Sequence, residues 1–285
     1  MQSRIVVMEI QMKSKLSCLA SALALGLLVS ANASATTVVG GVNFSDLYNP
    51  DTGVPMHLET STLATTWIAP GSPAGTQTKG YGMVSTINGL TNYCDGPCTL
   101  YFTYTAELAG TQPLGIGTAS QMTFTNSVYT FYLVDQAADS HNLLNYSSAD
   151  NWAFITGLTE WAQFTGHDVG GIDYQMFATT WTGTSFNGSG DGLADVVLGV
   201  GLPGVADYFN SNGADDGADI AITSSLNTLV HGPKDSCTYK NGQWCLQGTV
   251  NTRGYNNEVP EPASLALFAL GALGLGLSRR RKTAV

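Results

Sequence analysis

Residues 99–108 read TLYFTYTAEL, and the alternation in this stretch decides the fold class. Every second side chain is apolar, namely Leu100, Phe102, Tyr104, Ala106 and Leu108. The side chains between them are Tyr101, Thr103, Thr105 and Glu107. A period of two is typical of a β-strand. The stretch therefore predicts a strand with one face in a core and the other in water.

The chain on both sides of this strand has the same character. Residues 121–135 are rich in β-branched and aromatic side chains, with an interruption at Asn126 and Ser127. Further strands are predicted at residues 38–44, 61–68, 81–87, 173–184, 194–200 and 218–224, and a hairpin at 237–250. One short helix is predicted within residues 149–164, where Trp152, Ile155, Leu158 and Trp161 recur every three residues, although Gly157 weakens it. We therefore expect a mainly β fold, a single antiparallel β-sandwich of the jelly-roll type with one short helix.

The N-terminus, residues 1–35, has the layout of a secretory signal peptide. Lys13 and Lys15 precede an apolar core, and small residues lead to a cleavage pattern after Ala35. Nothing before Met12 is needed for such a signal, so Met12 is a candidate for the true start. The alternative is an uncleaved membrane helix, for which the apolar core is short.

The C-terminus, residues 259–285, has three parts in order. Pro260, Glu261 and Pro262 form a stiff, non-helical segment after Val259. Residues 263–278 are uncharged and predict a transmembrane helix at the short end of the usual length. A basic cluster follows and is expected on the cytoplasmic side; it consists of Arg279, Arg280, Arg281 and Lys282. An ordinary C-terminal membrane anchor is the alternative interpretation.

This arrangement resembles the PEP-CTERM sorting tail, also known as an ice-binding-protein C-terminal segment. The resemblance implies export, transient residence in the inner membrane, recognition by an exosortase, and delivery to the cell surface or to extracellular polysaccharide. Signal peptidase and exosortase would be the processing partners. The residues of the recognised motif would be Val259, Pro260, Glu261 and Pro262.

The chain between these ends divides into an expected exported β domain at residues 36–251 and a polar linker at 252–258. Residues 36–258 hold four basic and nineteen acidic side chains, a formal charge near minus fifteen. Such a surface repels nucleic acid and anionic lipid. It suits cations, solvation or a polysaccharide matrix.

Four cysteines remain in the exported part, and they allow three pairings. An even number in an exported chain indicates disulfides, and turn residues between the partners favour the local pairs Cys94–Cys98 and Cys237–Cys245. A three-residue turn at Lys240, Asn241 and Gly242, with the glycine in the left-handed region, would set Cys237 opposite Cys245. A zinc site is the competing interpretation, and its spacing is poor.

One segment resembles a calcium loop. Asn187, Ser189, Asp191 and Asp195 stand at loop positions one, three, five and nine, with Gly192 at position six. Leu198 stands where the bidentate glutamate belongs, which should reduce the affinity for calcium. Structural calcium is the only cofactor that the sequence suggests. A second oxygen-rich stretch without a recognisable register contains Asp207, Asn210, Asn212, Asp215, Asp216 and Asp219. Plain turns between strands explain both stretches as well.

The sequence predicts no catalytic residues. It contains no G-x-S-x-G, H-E-x-x-H or P-loop pattern. His167 and Asp168 are adjacent but would point apart in a strand. A glycosidase pair among Glu59, Glu107 and Glu160 cannot be tested by spacing along the chain.

Two functional hypotheses follow. The first is a non-enzymatic surface or matrix protein that aids adhesion, flocculation or biofilm and exopolysaccharide association. Residues 213–225 show a short resemblance to PEP-CTERM proteins associated with flocculation. The second is a secreted polysaccharide-active or carbohydrate-binding enzyme with the same tail. Tryptophan faces could stack on sugars, although in a β-sandwich most would be core; they are Trp67, Trp152, Trp161, Trp181 and Trp244.

Overall fold

A computed structural model describes residues 37–44, 56–94, 96–135, 141–228 and 237–254. The predicted signal peptide, the sorting tail and its transmembrane helix lie outside these residues. Within the described part of the chain, no helix is both long and apolar enough to span a membrane.

The described residues form eleven strands and two short helices. The strands are β1 (Thr37–Val39), β2 (Val42–Phe44), β3 (Met56–Thr66), β4 (Gln77–Ile87), β5 (Cys98–Pro113), β6 (Ser120–Asp135), β7 (Thr159–Gly166), β8 (Tyr174–Trp181), β9 (Phe186–Val196), β10 (Ile220–Thr228) and β11 (Trp244–Gly254). The helices are α1 (Ser148–Thr156) and α2 (Val205–Phe209), and single 3₁₀ turns occupy Leu143–Asn145 and Asp215–Gly217. The prediction of a mainly β fold is confirmed.

Strands β3 to β11 form one antiparallel sheet that closes on itself. Each strand pairs with the next along most of the chain, and β11 pairs with β3. Strands β7 and β8 share one place in the wall: β6 pairs with β8 at Ser120–Phe124 and with β7 at Val128–Leu133, and β9 pairs with both. The result is an eight-membered, barrel-like ring. The predicted sandwich of two sheets is not confirmed, because the ring has no break that would separate them.

The alternation of residues 99–108 places one face of β5 inside the barrel, as predicted. Leu100, Phe102 and Leu108 are buried there. Gly82 on β4 gives the Phe102 ring room, because a methyl group at this position would lie 2.7 Å from that ring. Strand β6 continues through the interruption predicted at Asn126 and Ser127. Asn126 has φ 53°, and at this irregularity the inward-facing positions change from even-numbered residues such as Phe124 to odd-numbered residues such as Phe131.

The outer face is not uniformly wet. Helix α1 covers part of it, and a second core forms around Ala64, Tyr81, Tyr101, Leu143 and Ile155. Tyr101 and Thr103, predicted to face water, are 5% and 4% exposed. The prediction was wrong at these positions because one strand in isolation does not show what packs over its outer face.

Both ends of the barrel are packed with aromatic side chains. We call the end where β11 finishes at Gly254 the tail end, and the opposite end the far end. At the tail end Trp161 lies between Phe44, from the β1–β2 hairpin, and Phe209 of α2, with centroid distances of 6.1 and 5.6 Å. At the far end Trp67 contacts Phe186 and Tyr239, with centroid distances of 6.4 and 5.3 Å.

Each disulfide lies beside one of these aromatic plugs. Cys94–Cys98 holds the segment that pairs with β2 at Val42, at the tail end. Cys237–Cys245 closes the loop that carries Tyr239, at the far end. These are the two local pairings that the sequence favours. Gly242 has φ 81°, as the predicted turn requires, but residues 237–240 form no strand, so the predicted hairpin is absent.

Several element boundaries differ from the prediction. Helix α1 ends at Thr156 and Gly157 caps it, so Trp161 lies in β7 and not on the helix. Residues 188–192, interpreted as a loop, lie within β9. Residues 252–254, assigned to the linker, belong to β11.

Candidate functional site

A pair of half-buried tryptophans lies on the outer wall. Trp152 projects from α1 and Trp244 begins β11; their ring centroids are 6.0 Å apart and both side chains are half-buried. Lys79 of β4 places its ammonium 5.0 Å from the Trp152 ring and 5.3 Å from the Trp244 ring. A cation over an aromatic face is an attractive arrangement. We call these three side chains the Lys79–Trp152–Trp244 surface.

A buried polar network fixes α1, and thereby Trp152, against the wall. Asn151 donates to the Tyr81 hydroxyl at 2.9 Å and to the Leu143 carbonyl at 2.8 Å. Tyr81 in turn donates to the Ser148 hydroxyl at 3.0 Å. Ser147 accepts the backbone N–H of Asp150 and so caps the helix. Since Asn151 is fully buried, the network fixes the register of α1 on the sheet.

His141 extends the same region. Its ring stacks between Tyr146 and Phe154, with centroid distances of 4.1 and 3.9 Å, and its Nε2 lies 2.9 Å from Asn151 Oδ1. Tyr146 is 43% exposed. This stack could not be predicted from the sequence, because its three residues are not regularly spaced.

The other three tryptophans are core residues. Trp67 and Trp161 are fully buried, and Trp181 is buried and donates its indole N–H to the Ile68 carbonyl at 2.9 Å. Trp161 donates to the Gly40 carbonyl at 3.2 Å. Of the five tryptophans, the two near the surface are therefore Trp152 and Trp244.

The predicted calcium loop is not a loop. Asn187, Ser189 and Asp191 alternate along β9 and face outward, while Gly188, Gly190 and Gly192 face inward. The glycines are needed because a methyl group at Gly192 would lie 2.6 Å from the Tyr174 ring. Asp195 lies further along the same strand and contacts His167. An extended strand cannot wrap these oxygens around one ion, so the loop interpretation was wrong.

The second oxygen-rich stretch contains a structural carboxylate. Asp219 is 2% exposed and accepts the backbone N–H groups of Val196, Ser211 and Asn212 at 2.9, 2.8 and 2.8 Å. The other residues of this stretch, Asp207, Asn210, Asn212, Asp215 and Asp216, lie on α2 or on the turns that follow it. Within the described residues no group of three or more His, Cys, Asp or Glu side chains could hold a metal ion.

The three candidate glutamates do not converge. Glu59 pairs with Thr86 and Glu107 with Gln77, nine residues apart on β4, which corresponds to about 30 Å. On β6 the partners of Glu107 and Glu160 are seven residues apart, or about 24 Å. Three strands separate Glu59 from Glu160. Glycosidase carboxylates lie about 5–10 Å apart, so these glutamates do not form such a pair.

Two of these glutamates accept hydrogen bonds from neighbouring side chains. Glu107 accepts from Asn126 and Gln77, and these hydrogen bonds lower the pKa of its exposed carboxyl below the ordinary value. Glu59 accepts from Thr86 at 2.9 Å.

His167 has an acidic partner, but not its neighbour in sequence. Its Nδ1 lies 2.7 Å from Asp195 Oδ2, whereas Asp168 accepts the backbone N–H of Gly171 within a turn. The Asp195 side chain is 41% exposed. The pair links β7 to β9 on the outer wall.

One motif was missed at the level of sequence. Gly199, Gly201 and Gly204 match the G-x-G-x-x-G spacing, and they follow a strand and precede a helix. The surrounding sheet is antiparallel and α2 has only five residues, so the parallel βαβ unit of a dinucleotide site is absent from this part of the described chain. Gly201 is required because a side chain there would meet the Trp161 backbone.

Comparison with known proteins identifies the C-terminal segment. Residues 258–282 match the family model of the PEP-CTERM protein-sorting motif. The chain carries a PEP-CTERM sorting motif. The match includes Val259, Pro260, Glu261 and Pro262 and the basic cluster from Arg279 to Lys282.

The PEP-CTERM motif implies processing by an exosortase and an extracellular or cell-surface location. No curated protein and no solved structure matches the chain at a significant level.

Proposed function

We propose that this exosortase-sorted protein is a non-enzymatic component of the cell surface or extracellular matrix, which aids adhesion, flocculation or biofilm cohesion by associating with exopolysaccharide. One observation carries the proposal: the sorting motif begins at residue 258, four residues after a closed barrel ends at Gly254. A signal peptide and a brief membrane stage at residues 263–278 would complete its export. The body would be delivered as a compact acidic domain.

The position of the chain ends supports display of the far end. The described body begins at β1 and ends where β11 finishes at Gly254, and both of these points lie at the tail end of the barrel. While the tail is in the membrane, the tail end of the barrel would therefore face the membrane. The far end and the outer wall would point toward the matrix.

The Lys79–Trp152–Trp244 surface is the contact that we assign to polysaccharide. Half-buried aromatic rings offer flat faces to sugar rings, and Lys79 adds a positive group to an otherwise acidic body. The rings are held by α1 and β11 and not by a flexible loop, which reduces the entropy lost on binding. The separation of Glu59, Glu107 and Glu160 supports binding without hydrolysis.

The test is co-sedimentation of the protein with exopolysaccharide from the bacterium that makes it. Trp152→Ala should weaken binding about threefold to tenfold, whereas Phe177→Ala, an exposed aromatic of β8, should not. Deletion of the gene should reduce flocculation without changing polysaccharide turnover. Release of reducing sugars by the protein, lost on changing one carboxylate, would instead establish the polysaccharide-active enzyme.

A further inference from the structure

The barrel encloses a cavity of about 70 Å³. By the same measure one water molecule needs about 10–15 Å³, so there is room for roughly five waters. Its walls come from all strands of the ring except β7, and from Ile68 just beyond β3. An eight-stranded barrel is about the size that can hold one small ligand.

The cavity is long and narrow. Met122 and Phe131 both line it and are nine residues apart on β6, which is about 30 Å along a strand and roughly 20 Å along the axis of a tilted barrel. A volume of 70 Å³ open to the centres of water molecules, spread over that length, gives a bore roughly 5 Å wide once the radius of a water molecule is added on each side. A flat or branched ligand does not fit such a shape, whereas an unbranched chain does.

The walls are apolar. The rings of Phe102, Phe124 and Phe131 line the bore together with Met122, Ile222 and Leu226. Water in such a bore would lack the two to four polar partners that buried water requires. The space therefore favours hydrocarbon over a file of water.

Nine side chains in the walls carry a hydroxyl group, and eight of these hydroxyls have a hydrogen-bond partner. Tyr104 and Thr65 share a hydrogen bond of 2.7 Å, Tyr174 bonds to Ser224, and Tyr129 bonds to Ser127. Burial raises the pKa of Tyr104, Tyr129 and Tyr174 above the ordinary value, as expected for phenols in an apolar interior. Among the described residues no charged side chain lines the cavity, so a charged head group would have to remain at its mouth.

We propose that the barrel binds one unbranched hydrocarbon chain, the tail of a single-chain amphiphile, along its axis. The chain replaces empty space beside the aromatic rings and so gains contacts that the cavity walls lack. The cavity reaches Ile68 and Phe186 beneath the far-end plug, away from the sorting tail. The proposal does not depend on the polysaccharide contact, which lies on the opposite side of the wall.

The test is calorimetric titration of the exported protein with octanoic, decanoic and dodecanoic acids below their micelle concentrations. Affinity should rise with chain length until the bore is full. Cyclohexanecarboxylic acid should not bind, because its ring is too wide. A lysophospholipid with a dodecanoyl chain distinguishes the source: binding of the free acid alone indicates fatty acids, and binding of both indicates any single-chain amphiphile.

Two adjacent residues of β5 provide a matched pair of variants. Ala106 lines the cavity, and Thr105 is exposed on the outer wall. Ala106→Met should weaken dodecanoic acid binding about tenfold by filling the bore, and Thr105→Met should change it less than about twofold. Equal effects of the two substitutions would overturn the proposal, as would the absence of binding by every unbranched probe.

A further variant should gain binding, a result that a folding defect could not produce. Leu226→Ala removes a buried side chain from the wall and widens the bore. This variant should admit cyclohexanecarboxylic acid, which the original protein excludes. Continued exclusion by a folded Leu226→Ala protein contradicts the proposed position of the chain.

Discussion

Trp67 and Tyr239 pack edge to face at the far end of the barrel, with ring centroids 5.3 Å apart and an interplanar angle of 75°. Their segments are also joined through the backbone: Trp67 N–H donates to the Gln243 carbonyl at 2.7 Å, and Gly242 N–H donates to the Trp67 carbonyl at 3.0 Å. The Cys237–Cys245 disulfide closes the loop that makes these contacts. The loop is therefore a cap that covalent and aromatic contacts hold over the barrel.

Removing this disulfide should destabilise the protein moderately. The partners are eight residues apart, and closing a loop of that length lowers unfolded-state entropy by the equivalent of about 2.5 kcal/mol. Cys237→Ser/Cys245→Ser should lose about that much unfolding free energy in urea and should expose Trp67, visible as a red-shifted fluorescence. Cys94→Ser/Cys98→Ser should lose about 2 kcal/mol without the same change at Trp67. Identical spectra for the two double variants would contradict the cap.

Asp219 should be among the most sensitive carboxylates. Its oxygens accept three backbone N–H groups from the end of β9 and the segment after α2. Asp219→Asn replaces one acceptor by a donor facing those groups, which should reduce stability by about 2–4 kcal/mol. Asp215→Asn, an exposed change in the adjacent turn, should cost less than about 0.5 kcal/mol. The urea unfolding midpoints of the two variants provide the measurement. Comparable losses of stability in both would refute the structural role of Asp219.

Gly190 should not tolerate a side chain. Its inward Cβ would overlap the Tyr174 hydroxyl and lie 2.7 Å from the Gln175 carbonyl oxygen. Gly190→Ala should therefore destabilise by about 1–3 kcal/mol. Ser189→Ala changes the next residue on the exposed face and serves as the control. Thermal unfolding of both variants tests whether the alternate glycines of β9 are there for packing; an unchanged melting temperature for Gly190→Ala would show that they are not.

Strands could be predicted from the sequence where apolar and polar side chains alternate within one segment. It identified β5, the two local disulfides and the sorting motif, because each is encoded by adjacent residues. It missed most of β9, predicting only its end from residue 194, because the inward positions before that are Gly188, Gly190 and Gly192, which lack the apolar side chains that mark a core face. The large partners that fill this space, such as Tyr174, lie on other strands.

Closure of the sheet could not be read from local pattern. A sandwich and a barrel require the same alternation along each strand and differ only in whether β11 pairs with β3. The burial of Tyr101 depends on α1, and the roles of Asp195 and Asp219 depend on partners far along the chain. Glycine spacing suggested ligand loops at Asn187–Asp195 only because the sequence does not show whether the backbone is extended.

Alkaline pH should destabilise the barrel through its buried tyrosines. Burial raises the pKa of Tyr104, Tyr129 and Tyr174 above the ordinary value of 10.0. Above about pH 10 the unfolded chain therefore loses these protons while the folded chain keeps them, and each tyrosine removes about 1.4 kcal/mol per pH unit. Below that pH the three phenols are neutral in both states and contribute no slope. Tyr104→Phe should reduce the slope of urea stability against pH by about 1.4 kcal/mol per pH unit above pH 10.

The comparison has an internal control. Below pH 9 the original protein and Tyr104→Phe should differ only by a constant offset, because the phenol is neutral in both states. Parallel curves at all pH values would mean that Tyr104 titrates normally in the folded protein. Tyrosinate absorbance measured on the folded protein gives an independent check.

Changing the sorting motif should stop tail removal without unfolding the barrel. Pro260, Glu261 and Pro262 lie within the matched segment and after the last strand, so Ala at all three positions leaves the described body unaltered. The protein should then remain in the membrane fraction at its larger mass, since residues 263–278 and the basic cluster are retained. Asn256→Ala/Asn257→Ala, upstream of the motif, should be cleaved and released as before. Mass spectrometry of the two fractions provides the measurement, and normal release of the triple-alanine protein would show that an exosortase does not read these residues.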